Sequence, residues 1–346
     1  MFGLSFRRGF AAAIGGISVI LLVTGSAVAQ NHIMKLGHPL PPPAPLHKWA
    51  VFFKDGVEKR AQGRLEVKIF PLSTLGKIPR MIEGTQLGTI EAVTIPPGFF
   101  TGIDQRYSVL AAPGIFDDIE HGHRTVHDPE FKKVFWPIGE RKGLKMMGMS
   151  CDAPTAYATV KPIRKIADFK GMKLRVFGSK LELETLRRVG AHGIPMALSE
   201  VLPAIQRKVI DGNKAAIVVF VPFKYQATAK YVLRAKASII CIVRFASKVW
   251  FDKLPSDLQQ IILDEAAIAD DKIISVSVRM INKMYGIWEK TGGELNVLSD
   301  TEQTELRRRL STVGDDVLKD QPEVLKVYKI MKAVADRTRK LSLIEI

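Results

Sequence analysis

The stretch Asp168-Phe169-Lys170-Gly171-Met172-Lys173-Leu174-Arg175-Val176 carries the most pointed chemistry in the chain. It reads as a loop ending at Gly171, then a short strand with Met172, Leu174 and Val176 on one face and Lys173 and Arg175 on the other. A guanidinium stays charged at any physiological pH and presents five N–H donors in a planar fork. On an otherwise apolar strand it needs an anionic partner nearby. Taken alone, such an arginine is more often exposed or salt-bridged at the surface. The rest of the sequence reverses that preference.

Other reactive groups give less. His123 and His127 are four residues apart and can share a helix face, with His121 close by. No His-Glu-x-x-His pattern and no third ligand accompanies them, so surface histidines at a helix start are expected, and no metal. No Gly-x-Ser-x-Gly elbow or phosphate loop is present. His38 with Asp152 or Glu200 can be imagined as an acid–base pair, but nothing in their spacing demands it. An enzyme is therefore not expected, nor a cofactor. Cys151 and Cys241 both lie in apolar strand-like runs, which leaves buried free thiols and a disulfide equally open.

These groups need an address and a scaffold. Arg7 and Arg8, the apolar run Ala11 to Val23 and Ala27-Val28-Ala29 have the order of a secretory signal peptide, with cleavage expected after Ala29. The predicted product is exported and soluble, with Gln30 as its first residue. The formal charge of +16 falls by two when the leader goes. The basic residues are scattered and no nucleic-acid motif accompanies them, so the charge reads as a solvated surface that attracts anionic solutes, not as a nucleic-acid footprint.

Behind the leader, strand and helix alternate three times: strand Ile33 to Leu36, helix Pro45 to Gln62 (apolar through Leu46, Trp49, Phe52, Val57 and Ala61), strand Leu65 to Phe70, helix Arg80 to Leu87, and strand Ile90 to Ile95. This argues an α/β layer with its loops, including Gly37 to Pro43 and Pro96 to Phe100, gathered at one sheet edge. Helices follow across His121 to Lys142, then a strand Leu144 to Ser150. The Arg175 strand precedes a helix from Ser179 to Val189, and Ser199 reads as the N-cap of the next. Asp211-Gly212 marks a turn, and Ile239 to Val243 a strand. A capping box, Ser256 to Gln259, opens a helix reaching Thr291, long enough to brace more than one lobe.

The order of several short motifs resembles the DctP-type periplasmic solute-binding proteins of tripartite ATP-independent periplasmic (TRAP) transporters. The matching residues are Leu36-Gly37-His38-Pro39; Gly63-Arg64-Leu65 with Phe70-Pro71 and Leu75-Gly76; Asp168 to Arg175; Gly190-Ala191; Pro195-Met196 with Ser199-Glu200-Val201; Ile210-Asp211-Gly212; Lys230-Tyr231; and Trp250 with Leu254-Pro255. The resemblance implies a two-lobed α/β binding-protein fold with hinge strands and a long bracing helix. It divides the chain into leader 1–29, a first lobe over 30–151 and 241–280, and a second over 152–240 and 281–346. It implies that Arg175 holds a ligand's carboxylate, that the partners are a small carboxylate and the small and large TRAP membrane subunits, and that the protein works in the periplasm. Delivery to a sensor is the alternative. The hinge strands would pass near Cys151 and Cys241, which raises a disulfide there to a live possibility.

The departures from the family's pattern bear on the ligand. A second arginine, frequent in sialic-acid and dicarboxylate members, is missing from Asp152 to Tyr157, with Thr155 nearest its place. Asn213-Lys214-Ala215 follows Asp-Gly where Gln-Glu-Asn is frequent, and Leu198 stands where an aromatic is frequent. Lys214 supplies a second cation or pairs with an acidic neighbour. Tyr157, Phe99, Phe100 and Phe177 remain as walls, and His38, Pro97, Asn213 and Ala215 complete the expected binding set. A monocarboxylate with an apolar or aromatic body is expected, not a sugar acid or a C4-dicarboxylate.

Overall fold

In the computed structural model, which describes residues 31–341, the first strand–helix repeats form as β1 (His32–Gly37), α1 (Pro45–Ala61), β2 (Leu65–Phe70), α2 (Ile78–Leu87) and β3 (Ala92–Ile95). The expected leader lies outside the described residues. β1 pairs in parallel with both β2 and β3, as strands joined by crossover helices do. Helix α1 begins on Pro45, whose ring suits the first helical position, and buries Trp49, Phe53, Val57 and Ala61. Phe53 takes the core position expected of Phe52, because it falls one helical turn from Trp49.

Short 3₁₀ turns at Pro97–Phe100 and Gln105–Ala111 lead into α3 (Ile119–His127) and α4 (Pro129–Phe135). The histidines here are not the surface groups expected. His121 is buried and meets the Ala335 carbonyl at 2.8 Å, His123 meets Asp271 at 2.9 Å, and His127 meets the Met149 carbonyl at 2.6 Å. Each ring is engaged by a group brought from far along the chain. No group of three metal-ligating side chains occurs among the described residues.

β4 (Leu144–Thr159), β5 (Lys173–Val176), α5 (Lys180–Arg188), β6 (His192–Pro195), α6 (Leu198–Gln206), β7 (Gly212–Ala215), α7 (Ile217–Phe220) and β8 (Tyr231–Ser247) follow. The sheet order is β2-β1-β3-β8-β4-β7-β5-β6, with β9 (Glu294–Asn296) added on β8. β4 and β8 are far longer than expected and serve both halves. The Val243 to Ala246 part of β8 pairs with β3, and the Ala156 to Thr159 part of β4 pairs with β7. Register shifts at Cys151/Ala153 and Pro154/Ala156 separate these parts. A proline inside a paired strand is tolerated at such a bulge, and bulges bend a strand. Two lobes joined by hinge strands result. Cys151 and Cys241 face each other in that register and form a disulfide.

After α8 (Lys248–Phe251), α9 (Ser256–Lys290) runs 35 residues, roughly 50 Å at 1.5 Å per residue. It packs on α1 and β4, and further along on α7 and β9, so it braces both halves. Its N-cap is Pro255 and no side chain caps it; Ser256 is already helical, against the capping box expected. Ala197, not Ser199, likewise caps α6. In mid-course Asp270 accepts hydrogen bonds from Trp49 Nε1 and the Met149 amide, both at 2.8 Å. Gly148 permits this approach, since a Cβ there would sit 2.5 Å from an Asp270 oxygen. The chain ends in α10 (Asp300–Leu310), α11 (Val313–Leu318) and α12 (Pro322–Leu341). No helix among the described residues is long and apolar enough to cross a membrane.

Candidate functional site

β5 lies between β6 and β7, with Arg175 opposite Ile194 on one side and Asn213 on the other. Lys173 begins the strand in solvent. Arg175, two residues on and so on the same face, is fully buried where that face turns inward between the lobes. Its Nε donates to the Met196 carbonyl at 2.9 Å and Nη1 lies 3.5 Å from Asn213 Oδ1, while Nη2 has no partner. The Phe177 and Phe99 rings flank the guanidinium at 4.7 and 5.7 Å. No carboxylate among the described residues pairs with it. Burial lowers its pKa from the usual 12.5 to about 10. It is a desolvated cation, incompletely satisfied, at the wall of a cavity.

That cavity encloses about 610 Å³ of empty space including its open mouth. Its lining comes from five separated parts of the chain: the proline-rich loop after β1 with the start of α1, the start of α2, the loop after β3, β5 with the segments that follow it, and the hinge strands. Gly98 lets the β3 loop close on Phe177, because a Cβ there would lie 2.8 Å from that of Phe177. Apart from Arg175 and Asp152 the lining side chains are apolar or backbone-like, among them Leu40, Leu46, Ile78, Val219 and Ile242.

Of the residues singled out in the sequence, Arg175, Phe177, Leu198 and Ala215 line this cavity, as does Phe99. Pro97, Thr155 and Lys214 line an adjoining recess of about 330 Å³ that shares Pro96, Phe177 and Ile240 with it. Thr155 Oγ1 is hydrogen-bonded to Ser238 Oγ at 2.7 Å. Lys214 Nζ is held by Glu182 at 2.9 Å, both side chains buried. Glu182 also reaches back to the Gly178 amide at 3.1 Å and forms the capping box of α5 with Ser179, so the pair clamps the turn carrying Phe177. Burial opposes ionisation of Glu182, but Lys214, then Arg175 and Ser179, outweigh it and leave its pKa below the usual value.

His38, Tyr157, Asn213 and Phe100 line neither space. Asn213 donates to Tyr225 at 3.1 Å, Tyr157 packs edge-on to Phe169, and Phe100 is buried between Tyr107 and Phe245. His38 is buried with Nε2 3.0 Å from His47 Nδ1, and neither Asp152 nor Glu200 is its partner. Burial, and next the neighbouring His47, lower its pKa from 6.5 to about 3. The unfolded chain therefore binds this proton first as pH falls. The His38 contribution to stability is complete above pH 6.5 and is lost progressively towards pH 3. Acidification from pH 6.5 to 4.5 is expected to cost the parent roughly 2–3 kcal/mol more than a His38→Gln variant, measured by urea unfolding. Parallel pH profiles would refute it.

Asp152, Leu40 and Leu46 line the cavity although none is in the expected binding set. Both regions carry a signal in the sequence: His38 of the same loop is in that set, and Asp152 opens the segment that corresponds to the family's second arginine. Asp152 accepts from Ser150 Oγ, which in turn accepts from Arg244 Nη2 at 2.7 Å. Arg244 is bound at 2.8 Å to Asp270 and lies 3.8 Å from Asp152 Oδ2. Its guanidinium lies 4.2 Å from the Trp49 ring centroid.

A protein of this geometry has known relatives. The model of the bacterial extracellular solute-binding protein family 7 (DctP) matches residues 36–321. The 2,3-diketo-L-gulonate-binding periplasmic protein YiaO of Escherichia coli is 26% identical, over 94% of this chain and 98% of its own. The C4-dicarboxylate-binding periplasmic protein DctP of Rhodobacter capsulatus is also 26% identical, over 73% and 76%. Among solved structures, a TRAP periplasmic solute-binding protein of Desulfovibrio salexigens with bound orotic acid superposes with a TM-score of 0.82 at 23% identity, covering 88% of this chain and all of that one. One from Haemophilus influenzae with bound L-gulonate gives 0.82 at 22%, over 88% and 100%. With the fold, the motif order and the matched length in agreement, this chain belongs to the bacterial extracellular solute-binding protein family 7, the DctP-type solute-binding proteins of TRAP transporters.

Proposed function

We propose that the protein captures an organic acid in the periplasm, a monocarboxylate with an apolar or aromatic body, and delivers it to the small and large membrane subunits of a TRAP transporter. The observation that carries this reading is the unpaired Nη2 of Arg175 at a cavity wall that is apolar apart from Asp152. A guanidinium matches a carboxylate with parallel hydrogen bonds, and the match strengthens as water is excluded. Phe177, Phe99, Leu198 and Ala215 then contact the body of the acid. Relatives bind orotate, gulonate and, in Shewanella oneidensis, succinate, so carboxylate capture is common ground and the body is what differs. A sugar acid would have to leave its hydroxyls against apolar side chains without hydrogen bonds, each at a cost of about 1–3 kcal/mol.

Thermal unfolding with a panel of acids tests this. Aromatic monocarboxylates such as benzoates at about 100-fold above their dissociation constant should add roughly 2.7 kcal/mol of stability. Stabilisation by succinate, malate, sialate or galactonate alone would overturn the proposed ligand.

A further inference from the structure

Two buried charges face the cavity, and they have opposite sign. Arg175 has no carboxylate partner among the described residues. Asp152 is buried, lines the same cavity, and has no hydrogen-bond donor on Oδ2. Its nearest cation is Arg244, at 3.8 Å, and that guanidinium is already committed to Asp270 at 2.8 Å. One buried guanidinium thus serves two buried carboxylates, and Asp152, the one that lines the cavity, has the longer contact. Burial outweighs the pull of Arg244 and Ser150 and raises the Asp152 pKa, the behaviour of a carboxylate short of a partner.

A simple carboxylate would satisfy Arg175 and leave Asp152 facing an apolar group with an unmet acceptor. A zwitterion with an apolar middle satisfies both charges and leaves the closed cavity with no net charge imbalance. We propose that Asp152 holds a protonated nitrogen of the ligand whose carboxylate is held by Arg175, so that the ligand class is a zwitterionic carboxylate with an apolar body. This rests on the carboxylate reading above and narrows it.

The test compares isosteric acids on the full mature protein: 3- and 4-(aminomethyl)benzoate against 3- and 4-ethylbenzoate, by calorimetry. At least one aminomethyl acid should bind tenfold or more tighter than its ethyl counterpart. Asp152→Asn should reduce that preference at least tenfold, and Arg175→Ala should weaken binding of every acid in the set about a hundredfold or more. The comparison within the parent protein needs no variant to fold. Ethyl acids that bind as tightly as the aminomethyl acids, and only when Arg175 is present, overturn the role of Asp152 while carboxylate capture stands. Binding indifferent to Arg175→Ala overturns the underlying reading instead. No binding by any of the four acids overturns the zwitterion class.

Discussion

Replacing Arg175 with alanine will lower affinity for the bound acid by roughly two to three and a half decades, while the empty protein unfolds close to where the parent does. The first part follows from removing one partner of a desolvated charge pair, typically about 3–5 kcal/mol, at about 1.4 kcal/mol per decade. The second part follows from what Arg175 does without ligand. It makes one good hydrogen bond, to the Met196 carbonyl, and two contacts with aromatic rings. Against these stands the cost of burying an unpaired charge, which shows in a pKa lowered from 12.5 to about 10 and amounts to about 3 kcal/mol. The opposing terms are of similar size. Calorimetry with benzoates and chemical unfolding without ligand separate them. A variant that binds like the parent would show that the carboxylate is held elsewhere, and one that fails to fold would show Arg175 to be structural.

The second large effect concerns the disulfide. Cys151 and Cys241 are 90 residues apart, so their bond closes a long loop in the unfolded chain. The chain-entropy model gives roughly 4–5 kcal/mol for such a loop. A Cys151→Ser/Cys241→Ser double variant should lose stability of that order in urea unfolding, and the unreduced parent should show no titratable thiol. Two free thiols on the unreduced protein would exclude the bond. The disulfide also sits among the cavity walls. Asp152 and Ala153 follow Cys151 on β4, Ile240 and Ile242 flank Cys241 on β8, and all four line the cavity. A link here holds the two hinge strands together beside the site.

Local pattern carried much of the scaffold. Alternating apolar residues marked β2 over the residues it occupies, and helical periodicity located α1 and the long α9 within a residue or two. Local pattern failed at the hinge. Ala153-Pro154-Thr155-Ala156 reads as a loop by propensity, yet it continues β4, because pairing with β8 on one side and β7 on the other outweighs a proline placed at a bulge. The cap residues of α6 and α9 failed for a related reason. A serine ahead of an apolar run is a common pattern, with or without a Gln three residues on as at Ser256, and only the path of the preceding chain decides whether it stands outside the helix or within its first turn.

By itself, the sequence determined an alternating α/β chain with one strand arginine on the face away from its apolar neighbours, and a motif order shared with one family of binding proteins. Only the tertiary structure decided what that arginine faces. The partners that define the site come from far along the chain: Glu182 reaches Lys214 across 32 residues, and Asp270 reaches the Met149 amide across 121. No local rule of propensity or spacing carries information over such separations. Asp152 has the longer contact because Arg244 is shared with Asp270 of another element, an arrangement that exists only once both are packed out of water.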